Sequence, residues 1–359
     1  MSEILSRLRS GSWLDAQRFA PLSWAVPGLI PEGLVLFTGP PKAGKSWAAL
    51  GVCLAVASGG RAFGTIPVGR PRPVLLLALE DGDRRLQGRC RALLGPDEPI
   101  PTGLDYLTRA TPAEVLEVIE AWLTEHGHAA PLIVLDTLGR VMPPALPGEG
   151  AYQRDYRVGA KLKAYADAWP GTCLMVVHHV RKQALGDGAD WMDGTSGTNG
   201  LNGAADATVN IARPRNESAG ILRVTGRDVP EGEYAITTAA GTWTLDGATL
   251  DDASRAAAQA RVTSALGDRS AEIVAFVAAA PGPVNAADVV AALGIADART
   301  YLSRLAVAGR LTRSGRGLYT PVASVASLHP DTPATHPVIQ GNGETQHATH
   351  ATGVLEGIA

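Results

Sequence analysis

The chain has 359 residues, 45% of them hydrophobic and only 5% aromatic, with a formal net charge of −3 and a pI near 6.2. That length supports one large domain with a proper core and a smaller one beside it. The slightly acidic balance excludes a uniformly basic nucleic-acid coat and leaves room for a local basic groove.

Cys53, Cys90 and Cys173 are odd in number, far apart and set among aliphatic residues. They read as small buried hydrophobes in a reducing compartment, not as a disulfide or metal set. No apolar run reaches membrane-spanning length, and "MSEILSRLRSGSW" lacks the apolar core of a signal peptide. A soluble cytoplasmic protein without a membrane partner is expected.

Residues 1–30 form an N-terminal lead-in, with "APLSWAVPGLIPEG" delivering the chain to a first strand. Over 31–250, apolar runs alternate with helical stretches, the pattern of an α/β fold with a mostly parallel central sheet. The runs are "LVLFTG" (34–39), "PVLLLALED" (73–81), "PLIVLDTL" (131–138), "TCLMVVHH" (172–179) and "ATVNIAR" (207–213). Their unbroken apolar character requires burial on both faces. Helices are predicted over Ser46–Ala57, Arg84–Leu94, Pro112–Glu125 and Arg154–Ala168, and antiparallel edge strands in "GILRVTGRDV" and "YAITTAAGTWTL".

The stretch "GPPKAGKSW" fits G-x-x-x-x-G-K-[ST] between an apolar strand and a helix. Gly39, Pro40, Pro41, Lys42, Ala43, Gly44, Lys45, Ser46 and Trp47 thus form the candidate cradle for ATP or GTP. The glycines let amides turn toward phosphate oxygens, and Lys45 neutralises the terminal phosphates. Ser46 holds Mg²⁺ at the helix start, joined by Asp136 at the end of "LIVLD" as the second metal residue.

In "LLLALEDGDRR", Glu80 and Asp81 sit at a strand tip, where strand ends converge on a ligand crevice in such sheets. Glu80 is the candidate base that deprotonates the attacking water, and Asp81 or Asp83 the cap of the helix beginning near Arg84. "LMVVHHVRK" places His178 and His179 at another strand end, with His179 favoured as a γ-phosphate sensor. The glycine-rich 183–206 that follows is too long for an ordinary connection and reads as functional.

Residues 251–269 are Ala-rich and read as a helical linker. Over 270–322, three short helices and a two-stranded turn follow the winged-helix order. Within 297–322 there are five arginines against one acid, Asp297. Arg299 and Arg304 on the third helix, with Arg313 and Arg316 in the wing, are the candidate duplex-DNA contacts; the alternative is a protein-interaction module with solvated charges. Residues 323–359 lack Lys and Arg, are rich in Pro, Thr, Gly and His, and are expected to be disordered.

Taken together, "GPPKAGKS", "LALEDGDRRLQ", "LIVLDTL", "VVHHVRK" and "GTNGLNGAAD" resemble the RepA-type hexameric helicases of the RecA/DnaB-like phosphate-loop ATPases, over roughly residues 20–245. The resemblance implies a RecA-like ATPase domain, a ring of six subunits with ATP at each interface, and single-stranded DNA through its centre. It places Glu80 as catalytic glutamate and His179 as sensor. It also implies a positive charge supplied by the neighbouring subunit. Where that arginine is expected the chain has Asp206, leaving Arg213, Arg215 and Arg227 as candidates, with Arg227 preferred. Three functions compete: a helicase or single-stranded DNA translocase for plasmid, phage or mobile-element replication, a DNA-binding ATPase that does not unwind, and a phosphate-loop kinase. The kinase ranks last, since nothing resembles an acceptor lid and Glu80 is placed for water.

Overall fold

A computed structural model describes residues 5–179, 191–192, 200–264 and 268–322. A short helix α1 (Gly11–Asp15) precedes β1 (Trp24–Val26), β2 (Ile30–Pro31), β3 (Gly33–Gly39) and α2 (Lys45–Ser58). A small hairpin, β4 (Arg61–Ala62) and β5 (Ile66–Pro67), leads to β6 (Val74–Ala78), α3 (Asp83–Leu94), β7 (Leu104–Leu107) and α4 (Pro112–His126). Then come β8 (Leu132–Asp136), α5 (Ala151–Ala168), β9 (Cys173–His179), α6 (Gly200–Ala204) and β10 (Ala207–Ala212). The next elements are β11 (Ala219–Gly226), β12 (Gly232–Ala239), β13 (Thr242–Leu245) and α7 (Leu250–Ser264). Finally α8 (Asp268–Ala279), α9 (Ala286–Leu293) and α10 (Ala298–Val307) precede β14 (Leu311–Gly315) and β15 (Leu318–Pro321).

The central sheet has nine strands in the order β13-β12-β11-β10-β3-β9-β8-β6-β7. From β10 to β7 all neighbours are parallel, and β11, β12 and β13 add an antiparallel edge. The α/β fold with a mostly parallel sheet is therefore the one observed. Strand alternation divides each central strand between two cores, because successive side chains leave opposite faces. Val35, Phe37, Val74, Leu76, Leu132, Val134, Met175 and Val177 enter one core with α2 and Leu86 of α3. Leu34, Leu36, Leu75, Leu77, Ile133, Leu135, Leu174 and Val176 enter the other with α4 and α5. Both faces are covered by helices, which is why these strands read as unbroken apolar runs.

The start of α4 is where local chemistry predicts it. Thr111 and Glu114 form a reciprocal capping box on α4, with Pro112 in the first turn. Two expectations shift. The second edge stretch is broken by Ala240 and Gly241, both at positive φ, into β12 and β13. The strand β7, the parallel partner of β6 at the sheet's edge, was not among the predicted runs; its "LDYL" carries two exposed residues.

Over the stretch expected as a linker, α7 packs on the antiparallel edge and buries Ala253 and Ala257. Beyond it α8, α9 and α10 enclose a separate small core of Ile273, Val277, Val289, Leu302, Leu305, Leu311 and Tyr319. β14 and β15 form a two-stranded antiparallel ribbon, and Val284 and Tyr319 exchange backbone hydrogen bonds of 2.8 and 2.9 Å that fasten it. Residues 323–359, expected to be disordered, lie outside the described residues. Cys53, Cys90 and Cys173 are free and buried. Among the described residues no helix is long and apolar enough to cross a membrane.

Candidate functional site

The loop from Gly39 to Lys45 leaves the C-terminal end of β3, in the middle of the sheet, and turns into α2. Lys42 has φ +66 and Gly44 φ +100, so the loop uses left-handed backbone at two points. A Cβ at Gly39 would sit 2.4 Å from the carbonyl oxygen of Ile211 on the adjacent β10, so only glycine fits beside that strand.

Lys45 turns its ammonium back along the loop and donates to the carbonyls of Gly39 at 2.8 Å and Pro40 at 2.9 Å. It is 3% exposed. Burial lowers its pKa to about 8, against the opposing pull of Asp136 and then Glu80. Desolvation and nearby carboxylates perturb this lysine in the way that groups at functional sites are perturbed.

Asp136 ends β8 and is 8% exposed. Burial raises its pKa, and a side-chain hydrogen bond with Ser46 opposes that rise. Ser46 and Asp136, drawn from two elements far apart in sequence, are thus in direct contact as the sequence expects. They offer two hard oxygen donors, a set suited to a magnesium ion that keeps several waters and phosphate oxygens. The next residue, Thr137, donates its hydroxyl to the carbonyl of Val177 at 2.7 Å and ties β8 to β9 at this depth.

Glu80 lies just past β6, in the turn before α3, with its side chain 43% exposed and Oε1 3.9 Å from Nε of Arg140. It is close enough to act electrostatically on both Lys45 and Asp136. Its neighbour Asp81 is 7% exposed and is held by Arg89 and, at 3.5 Å, by Arg85 of α3. The expected cap is corrected here. Gly82 occupies the N-cap position without a side-chain bond, and Asp83 is the first helical residue, accepting from the Thr108 hydroxyl at 3.1 Å. Asp81, which precedes the helix, is instead paired with two arginines of α3, because the charged guanidiniums outcompete a backbone amide.

The remaining predicted residues separate. The Trp47 ring turns from the phosphate loop toward Gly241, under the Arg89 guanidinium at 5.3 Å, and lines a groove of about 270 Å³ with Thr242 and Trp243. The backbone of His179 pairs with Gly39 across β9 and β3, and its side chain lies outside the described residues. Most of the glycine-rich 183–206 also lies outside them; its last part forms α6, which packs against α5.

Arg227 follows β11 at the end of the sheet opposite the phosphate loop. There it pairs with Asp206 at 3.7 Å and donates to the carbonyl of Gly203 at 3.3 Å. Asp206 is a structural hub: it accepts from the Leu34 amide at 2.9 Å and pairs with Lys163 at 2.7 Å. Arg213 reaches the phosphate loop of its own chain, donating to the carbonyls of Lys42 and Ala43. Arg215 is exposed in the β10–β11 turn, at the phosphate-loop end of the sheet, and has no ion pair among the described residues. Sequence reading missed Arg213 and Trp243 as loop contacts: they stand 170 and 199 residues from their partners, with no local signal.

Arg299 and Arg304 on α10, Arg313 on β14 and Arg316 in the β14–β15 turn are all exposed, while Leu302 and Leu305 face inward. Arg313 stacks on Tyr319 and donates to its hydroxyl at 3.2 Å.

The AAA domain family (AAA_25) matches residues 3–184, about half of the chain. No curated protein matches. Among solved structures, the chain is similar to the "ATPase Domain of G40P" at 13% identity and TM-score 0.48, over 59% of this chain and 84% of that one. It is similar to the same degree to "The Structure Of A DnaB-Like Replicative Helicase And Its Interactions With Primase", over 59% of this chain and 57% of that one.

Proposed function

The chain belongs to the AAA domain family, and from that premise we propose that it is an ATP-hydrolysing, RecA-like motor that acts on DNA, working as a RepA-like helicase or single-stranded DNA translocase. The observation that carries the reading is that Lys45, Asp136 and Glu80 lie within electrostatic reach of one another at the C-terminal end of a parallel sheet. Lys45 opens α2 after β3, Glu80 follows β6 and Asp136 ends β8, so all three groups belong to the C-terminal ends of parallel strands, where ligands bind in such sheets.

In this reading the loop amides and Lys45 bind the β- and γ-phosphates. Ser46 and Asp136 would hold Mg²⁺, which would supply charge neutralisation to the phosphates when bound. Glu80 accepts the proton of the attacking water, and its partial exposure leaves room for that water beside it. Arg140 lies beside that carboxylate, 3.9 Å away.

A subunit-bridging arginine completes such a site. Arg213 is engaged with its own loop and Arg227 with Asp206, so the assignment moves from Arg227 to Arg215, which the β10–β11 turn presents outward. The ring of six, with single-stranded DNA through its centre, is part of the same proposal and rests on the resemblance to RepA-type helicases. The chain's 251–269 connects the motor to 270–322, assigned as a winged helix that docks on duplex DNA.

The test is ATP turnover with and without single-stranded DNA, beside particle mass with and without nucleotide. Several-fold stimulation and a hexamer support the motor. One observation favours a second reading, a DNA-binding ATPase that does not unwind: the exposed arginines of α10 and β14 sit on a core of their own. Duplex binding by a monomer whose ATPase ignores DNA selects that alternative.

A further inference from the structure

Three consecutive carbonyls of the phosphate loop are held from outside the loop by residues of the antiparallel sheet extension. Arg213, just past β10, donates through Nε to the Ala43 oxygen at 3.2 Å and through Nη2 to the Lys42 oxygen at 3.0 Å. Trp243 of β13 donates its indole N–H to the Gly44 oxygen at 3.2 Å. The Arg213 guanidinium lies over the Trp243 ring, 6.0 Å from its centroid, and Nη1 donates to the Glu217 carbonyl at 2.5 Å. Those bonds leave the arginine little freedom, since three of its nitrogens and one face of its plane are engaged.

The direction of these bonds matters. In a trans peptide the carbonyl and the following N–H point opposite ways. Fastening the Ala43 and Gly44 oxygens outward therefore aims the amides of Gly44 and Lys45 into the loop, where phosphate oxygens bind. Gly44 is fitted to the same contact: a Cβ there would lie 2.9 Å from the Trp243 ring. On the inner side Lys45 engages Gly39 and Pro40. Five loop carbonyls, at positions 39, 40, 42, 43 and 44, are thereby held by three side chains.

We propose that Arg213 and Trp243 form a brace, within one subunit, that holds the phosphate loop in its anion-binding shape before nucleotide arrives. This rests on the reading of the loop as an ATP site. Arg213 is a positioning residue here: it acts through the loop's carbonyls and touches no nucleotide. Its contribution is preorganisation, since a loop already ordered loses less freedom on binding. Phosphates are gripped in both the bound and the reacting state, so the brace governs affinity more than turnover.

The experiment is calorimetric binding of Mg–ADP to the full chain, together with ATP turnover, for wild type, Arg213→Ala, Arg213→Lys and Trp243→Phe. Arg213→Ala is expected to weaken Mg–ADP about tenfold to a hundredfold and raise KM in step, with kcat within about threefold. Arg213→Lys recovers part of the affinity, because one ammonium replaces only one of the two bonds. Trp243→Phe keeps the stacking ring, loses the N–H and weakens binding a few-fold; the double variant is less than multiplicative, because arginine and indole share one contact. Wild-type affinity in Arg213→Ala overturns the brace. So does a loss confined to kcat, which would place Arg213 in the chemistry. Where Arg213→Ala does not fold, Trp243→Phe with undiminished affinity overturns the brace in its place. A wild-type chain that binds no nucleotide removes the ATP reading itself, and is told apart from these outcomes by the first titration.

Discussion

Arg89, in the second turn of α3, grips Asp81 and so divides two adjacent acids into a structural one and one held only loosely, by Arg140 at 3.9 Å. The Asp81 side chain is 7% exposed and doubly paired, and Glu80 beside it keeps an exposed carboxylate near Lys45. The division predicts opposite phenotypes. Glu80→Gln should bind ATP normally and lose about 10²- to 10⁴-fold in turnover, measured by phosphate release. Asp81→Asn should lower stability by about 1–3 kcal/mol in denaturant titration, with nucleotide affinity within a few-fold of wild type. Equal hydrolysis by wild type and Glu80→Gln would remove Glu80 as the base.

Lys45 gives a pH dependence with a definite sign. Below about pH 8 its ammonium is charged in the folded and unfolded chain alike, and the folded state bears the full burial penalty. Between about 8 and the usual 10.5 the folded chain has released that proton and the unfolded chain has not, so stability from this group rises with pH. Nucleotide affinity moves the other way. A bound polyanion favours the ammonium, so above about pH 8 binding takes up a proton and weakens by up to about tenfold per pH unit. Calorimetry in two buffers of different ionisation heat detects the uptake. Its absence at pH 9, or retained binding in Lys45→Ala, contradicts the assignment.

Asp136 and Ser46 predict a metal-selective loss. Asp136→Asn should keep metal-free nucleotide binding and lose the tightening that Mg²⁺ provides, together with nearly all turnover. Since burial already pushes the Asp136 carboxyl upward, the amide is also expected to fold well, with an unchanged or higher melting temperature in the absence of nucleotide.

Arg215 and Arg227 separate on one assay. Arg215→Ala should bind nucleotide and lose turnover only in the assembled protein, and mixing it with Glu80→Gln subunits should restore some activity at hybrid interfaces. Arg227→Ala should cost under about 1 kcal/mol, as exposed ion pairs do, and leave turnover intact. Full activity in Arg215→Ala returns the trans role to Arg227.

The arginines of α10, β14 and the β14–β15 turn predict graded losses in duplex binding. Each of Arg299, Arg304 and Arg316 replaced by Ala should weaken binding and reduce the salt slope by about one. Arg313→Ala should also loosen the ribbon, because Arg313 is packed on Tyr319. A salt slope that ignores all four substitutions favours a protein partner for this module.

The site was legible where chemistry and spacing coincide along the chain. The loop glycines, Lys45 and Ser46 are contiguous, and Asp136 and Glu80 each close an apolar run. Alternation between two cores was also written into "LVLF", "VLLL" and "LIVL". What stayed hidden depends on distant chain. The short exposed edge strand β7 lacks an apolar run to announce it. Asp81 reads as a cap until Arg89 is seen to reach it. Nothing near Arg213 or Trp243 in sequence points to a carbonyl of the phosphate loop, and only the sheet order brings them there.

That order also sets a schedule for synthesis. β3 is translated early, yet both strands that flank it, β9 and β10, emerge much later: Thr38 waits for Asn210, 172 residues on, before its hydroxyl accepts a 3.0 Å bond. A nascent chain therefore carries an unzipped apolar ribbon at its future centre, open to misassembly until the ribosome has passed β10. Chains cut short of that point lack one wall of the nucleotide cradle, so ligand binding reports completion of the fold as well as readiness for work.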